Sequence, residues 1–110
     1  MTFTTKPWGS ETLLEHNDQY VVKLLTMKEG CRCSLQYHVH KKETIFVVSG
    51  VLDIQVDDQT YRLRPQEYIT INPGQHHRMS AADGPATYLE ASTPHLDDVV
   101  RVQDDYGRTI

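Results

Sequence analysis

Long apolar runs are missing from this sequence, and so is any surplus of basic residues. No stretch reaches the ~20 apolar residues that carry a helix across a bilayer. The opening Met1-Thr2-Phe3-Thr4-Thr5-Lys6 lacks the pattern of a signal peptide, so a cytoplasmic location is the default expectation. Eleven Lys and Arg stand against 15 Asp and Glu, for a net charge of −4. The cations are scattered, which argues against nucleic acid as a partner, because no basic patch interleaved with aromatics exists to follow a phosphate backbone. A small anionic ligand stays open, since a few buried cations can hold one whatever the net charge. Cysteine is scarce. Cys31 and Cys33 sit two apart, which in a strand puts both on one face but too far apart to bridge easily. They are read as reduced thiols, because a Cys-x-Cys metal site would need further soft ligands nearby.

Also missing is a helical period sustained over three turns. Short runs of β-branched and aromatic residues recur instead, and they predict strands at 11–15, 20–27, 32–38, 43–49, 51–56, 61–63, 68–71, 76–80 and 87–91. Breaks fall at Lys28-Glu29-Gly30, Lys41-Lys42, Ser49-Gly50, Asp57-Asp58, Pro65-Gln66, Asn72-Pro73-Gly74 and Ala82-Asp83-Gly84-Pro85. Many short strands at this spacing indicate one all-β sandwich or barrel spanning residues 1–110. Leu52, Ile54 and Val56 alternate with Val51, Asp53 and Gln55, so the even positions face inward there. A small barrel of this kind can enclose a ligand in its mouth.

The chemistry concentrates in Ser34-Leu35-Gln36-Tyr37-His38-Val39-His40-Lys41-Lys42-Glu43 and, much later, Pro73-Gly74-Gln75-His76-His77-Arg78. Alternate strand residues share a face, so Gln36, His38 and His40 project together. If the chain reverses near Lys41, Glu43 begins the partner strand of a hairpin and joins them. A metal needs such convergence of imidazole nitrogens and a carboxylate on one point. A two-residue turn would set His40 opposite Glu43, and a four-residue loop would set His38 there. Lys41-Lys42 offers no residue suited to positive φ, which favours the longer loop. His16 and His95 are read as ordinary solvated or hydrogen-bonded histidines.

Residues Gly30 to Gly50, with His38, His40 and Glu43, resemble the first cupin motif, and Pro73 to Arg78 resemble the second, whose ligand corresponds to His77. The similarity is closer still to the cupin portion of type II mannose-6-phosphate isomerases. It is carried by Lys6-Pro7-Trp8-Gly9, Leu35-Gln36-Tyr37-His38, Val47-Val48-Ser49-Gly50, His77-Arg78, Asp97-Asp98-Val99-Val100-Arg101 and Tyr106-Gly107-Arg108. The resemblance implies a double-stranded β-helix (cupin, or jelly-roll barrel) as a single domain, with one divalent metal inside and a homodimer as the assembly. Phosphomannose isomerases pair Gln-x-His with a Glu and a later His, which gives Gln36, His38, Glu43 and His77 as the metal shell. Other cupins use His-x-His, which would put His40 in place of Gln36. Zn, Mn, Fe, Ni and Co all suit such donors.

The sequence departs from the isomerase pattern at Lys41, where arginine is usual, at Ile45 in place of an aromatic, and at Ser80 in place of Asn. The upstream nucleotidyltransferase domain that many type II enzymes carry is also absent from these residues. The resemblance implies a metal-dependent aldose–ketose isomerase acting on a phosphorylated hexose or related sugar. In that reading His40 is the candidate base, and Lys23 and Arg101 are the candidate phosphate-holding cations. A non-catalytic sugar- or nucleotide-sugar-binding cupin is the alternative, and a non-haem iron dioxygenase a third. The stretch after His95 either swaps onto a partner or closes the pocket.

Overall fold

The computed structural model describes residues 1–108. Its strands are β1 (Thr2–Lys6), β2 (Gly9–His16), β3 (Val21–Met27), β4 (Leu35–Tyr37), β5 (Glu43–Ser49), β6 (Leu52–Val56), β7 (Gln59–Leu63), β8 (Tyr68–Ile71), β9 (His77–Ser80), β10 (Ala86–Ser92) and β11 (Val100–Gln103), with no helix among the described residues. They form two antiparallel sheets, one ordered β1-β2-β3-β10-β5-β8 and the other β11-β4-β9-β6-β7. This is the all-β double-stranded β-helix that the motifs imply.

Period-two alternation decides which side chains enter the space between the sheets. On β10, Ala86, Tyr88, Glu90 and Ser92 are buried, and on β5 Glu43, Ile45 and Val47 are. Leu25 and Met27 of β3 join them from the same sheet, while Leu52, Ile54 and Met79 face them from the other. Full burial of one such apolar side chain stabilises by roughly 1.5–3 kcal/mol. The outward positions of the three central strands are Val22, Leu24 and Thr26, then Thr87, Leu89 and Ala91, then Thr44, Phe46 and Val48. That face carries no charged residue.

Three elements differ from the sequence reading. β1 lies at a sheet edge with nearly every residue exposed, so it shows no alternation to detect. The segment expected as a strand over 32–38 narrows to Leu35–Tyr37. Arg32 makes only an isolated bridge to Ser80, and the Cys33 N–H donates to the Met79 carbonyl. The stretch after His95 returns to its own chain, where β11 pairs with β4.

Candidate metal centre

The hairpin between residues 36–38 and Glu43 does not form. β4 belongs to the five-stranded sheet and β5 to the six-stranded one. The connection Val39–Lys42 crosses from one sheet to the other. It is held open by Asp98, whose carboxylate accepts hydrogen bonds from the N–H groups of Val39, His40 and Lys41 at 3.0, 2.6 and 2.9 Å. Without a residue for a tight turn, the chain uses a long-range carboxylate to satisfy those donors. His38 and Glu43 therefore meet across the barrel and not across a strand pair.

Register supplies the rest. Arg101 of β11 stands opposite Gln36 of β4, and Gln36 stands opposite His77 of β9, so the three form one row on the inner face. His77 Nδ1 donates to the Gln75 carbonyl at 3.0 Å, and His38 Nδ1 donates to the Asp98 carbonyl. A carbonyl can only accept, so each Nδ1 carries the hydrogen and each Nε2 is left to face Glu43. The separations to Glu43 Oε1 are 3.2 Å from His38 and 2.9 Å from His77. One donor atom from each of the three residues lies within 4.8 Å of the other two. All three side chains are at most 4% exposed.

His77 Nε2 is close to the carboxylate but off the line of a hydrogen bond, and both it and Glu43 Oε2 lack a hydrogen-bond partner. Buried lone pairs crowded at this distance require a cation or a proton between them. Two imidazole nitrogens with a carboxylate oxygen are a donor set that Zn, Mn, Fe, Ni or Co accepts, so the residues fit the metal that a cupin fold implies. Gln36 stands opposite His77 in register, and its side-chain oxygen accepts from the Ser34 hydroxyl at 2.6 Å.

Nearby charges agree with this. Lys41 is buried, with Nζ 2.8 Å from Glu90 Oε2 and 3.5 Å from Glu43 Oε2. Two buried carboxylates and one buried ammonium leave one negative charge, which a cation beside the histidines would balance. Burial works against ionisation of Glu43, yet the close imidazoles of His38 and His77 and the charge of Lys41 hold its carboxyl well below the usual range. Burial also pulls His77 down, and Glu43 more than offsets it, so His77 is raised. Glu90 is raised by burial first and by Glu43 second.

A cavity of about 120 Å³ opens beside this cluster, lined by Gln36, His38, Lys41, Tyr88 and Glu90 and roofed by Leu96 and Val99. Lys6, Lys23, Arg101 and Arg108 line it too, against a single further carboxylate, Glu11. Lys23 pairs with Glu11 at 3.3 Å and Arg108 with Asp104 at 2.9 Å. Arg101 Nε is buried without a partner. His40 lies elsewhere. It is exposed, and its ring sits 5.9 Å from that of His95, away from the cavity.

Sequence reading missed Glu90, Tyr88 and Asp98. The first two had a signal, since a carboxylate and a phenol in the inward register of a central strand are out of place in an apolar core. Asp98 acts 58 residues from His40, and the sequence marked it only as part of the Asp97–Arg101 resemblance, without this role.

Comparison with known proteins extends this picture. The family described as mannose-6-phosphate isomerase C-terminal matches residues 2–104. Alginate biosynthesis protein AlgA of Pseudomonas aeruginosa is 34% identical over 108 residues, covering 94% of this chain and 22% of its own length. Mannose-1-phosphate guanylyltransferase of Escherichia coli is 36% identical over 107 residues, with the same two coverages. The chain thus spans about a fifth of these relatives. Among solved structures, KdgF from Halomonas sp. superposes with a TM-score of 0.81 at 14% identity, over 88% of this chain and 89% of that one. Capsular polysaccharide assembling protein CapF from Staphylococcus aureus also gives 0.81, at 22% identity over 93% of this chain and 34% of its own. At those identities the two structures speak for the fold alone.

Proposed function

The chain belongs to the mannose-6-phosphate isomerase C-terminal family, and from that premise we propose that it is a metal-dependent isomerase of a phosphorylated hexose, interconverting aldose and ketose. The observation that carries the reading is the joining of two sites in one cavity. The His38–Glu43–His77 cluster, with its buried lone pairs, adjoins through His38 a space rich in cations.

In this reading His38, Glu43 and His77, with Gln36, hold one divalent ion. When bound, the ion would polarise the carbonyl and hydroxyl oxygens on the two carbons between which the hydrogen moves. Arg101 and Lys23 take the phosphate, and Arg101 contributes a donor that nothing else satisfies. A base must lie within reach of the substrate C–H. His40 is too far outside the cavity for that task, so the role passes to Glu90, which lines the cavity and is held by Lys41. The raised Glu90 carboxyl suits a group that takes a proton and returns it.

The test is conversion of mannose 6-phosphate to fructose 6-phosphate. Turnover abolished by a chelator and restored by added Zn, Mn or Co supports the proposal. Thermal stabilisation by the sugar phosphate without any turnover would replace it with a binding role, and neither effect would reject both.

The working unit in this proposal is a homodimer joined through the uncharged outer face of β3, β10 and β5. A twofold contact sets each residue near its own counterpart, so a charge close to the axis would meet its like. A face with none can meet itself.

A further inference from the structure

We infer that the Tyr88 hydroxyl is a ligand contact that makes the cavity selective for a substrate bearing an oxygen at the end remote from the metal. This rests on the sugar-phosphate reading and adds a specificity-determining residue to it.

Tyr88 occupies the centre of β10, the strand flanked by β3 and β5, directly opposite Leu25 on one side and Val47 on the other. The whole residue is buried, and its hydroxyl has no partner. Packing gives no reason for the oxygen. Leu25, Val47, Cys33 and Met79 surround an inward position where phenylalanine would fill the same space and leave no buried O–H unpaired. Four buried side-chain polar atoms lack partners among the described residues: Glu43 Oε2, His77 Nε2, Arg101 Nε and the Tyr88 hydroxyl. Two of them belong to the metal cluster. The other two are donors carried by residues that line one cavity. A fold that satisfies nearly every other buried polar atom and leaves these unpaired in one place is built to receive acceptors there.

Position defines what the acceptor belongs to. Along the inner face of β10, Ser92 is level with Glu43, Glu90 is level with Ile45, and Tyr88 is level with Val47. The backbone of Tyr88 is thus two inward positions, about 13 Å of strand, from the level of Glu43, with Glu90 between. A ligand that reaches the metal, passes Glu90 and still meets the phenol must carry oxygens at both ends. A phosphorylated monosaccharide does so; a two- or three-carbon acid does not. The phenol stays a donor throughout the working range. Burial raises it well above its ordinary value, and Cys33, Glu90 and Glu43 add to the effect.

The experiment compares wild type with Tyr88→Phe by three measurements: melting temperature without ligand, affinity for mannose 6-phosphate by calorimetry, and KM against kcat. The expected result is a variant that melts no lower than wild type when free, retains its metal by elemental analysis, and binds the sugar phosphate on the order of tenfold more weakly. The loss should fall on KM more than on kcat. Within a set of monodeoxy hexose 6-phosphates, one analogue should lose that same factor against wild type and nothing further against the variant. Equal affinity of the two proteins for mannose 6-phosphate would overturn the role of Tyr88 while leaving the isomerase proposal standing. A variant that fails to fold, or melts several degrees lower when free, would show the hydroxyl to be structural and overturn it too. Absence of any hexose phosphate binding to wild type would overturn this inference and the isomerase proposal together.

Discussion

Backbone carbonyls prepare the two imidazoles for a metal. Gln75 and Asp98 each take an Nδ1 hydrogen, turning both Nε2 atoms toward Glu43. The carboxylate then supplies the only negative charge that the pair shares. Glu43→Gln keeps the shape and removes that charge, and it should lower metal affinity by on the order of 100-fold, read as metal content after dialysis against a weak chelator. Full retention of metal would show that the histidines bind it without Glu43. Asp98 tests a different link. Burial alone would raise its carboxyl, but the three N–H bonds of Val39, His40 and Lys41 bring it down to about 2 from an ordinary 3.8. Its folded value is depressed, so its contribution is present above about pH 4 and disappears as the pH falls through about 2. Asp98→Asn should therefore be less stable than wild type near pH 6, by about 1 kcal/mol on the scale of other carboxylates that cap N–H groups. The gap should close toward pH 2, as urea midpoints at the two pH values would show. The sequence singled out His38, Glu43 and His77 because motif spacing records them. The roles of Asp98, Lys41 and Glu90 escaped it because the partners lie far along the chain, as with Lys41 and Glu90, 49 residues apart.

Strand positions were largely legible, because period-two alternation survives wherever one face is buried. It failed at β1, which has no buried face, and at β4, where backbone bonds from flanking residues replace regular pairing. Sheet membership was not legible at all. A strand followed by a charged break reads as a hairpin, while in a double-stranded β-helix the same break passes between sheets. The turn after β5 shows how tightly one connection is specified. Gly50 has φ +75°, and a Cβ there would lie 2.3 Å from the Pro85 carbonyl oxygen. Gly30 has nearly the same φ, +76°, with nothing within 4 Å of such a Cβ. Gly30→Ala should cost about 1–2 kcal/mol, the penalty of the left-handed conformation alone. Gly50→Ala should cost at least about twice that, because β5 and the Pro85–Ala86 backbone must also part. Denaturant midpoints of the two variants give the comparison. Equal losses would mean that the close approach to Pro85 yields freely.

At the scale of the molecule, the two faces of the six-stranded sheet divide the work. Its inner face mixes Lys23, Glu43 and Glu90 with apolar residues and spends stability on chemistry. Its outer face holds Val22, Leu24, Leu89, Phe46 and Val48 with threonines, and Phe46 and Val48 are 36% and 45% exposed. Every residue of the candidate centre comes from one chain, so a second copy is not needed to complete it, and assembly can be tested apart from metal binding. Wild type should sediment as a dimer at micromolar concentration. Phe46→Lys places an ammonium where the twofold partner would place another, and it should shift the protein to monomer while metal content stays the same. Joint loss of metal and dimer would mean that the substitution disturbs the barrel itself, which Val48→Lys, one outward position along β5, would reveal by repeating the damage. A wild type that sediments as a monomer at every concentration would leave this face to some other partner and end the dimer proposal.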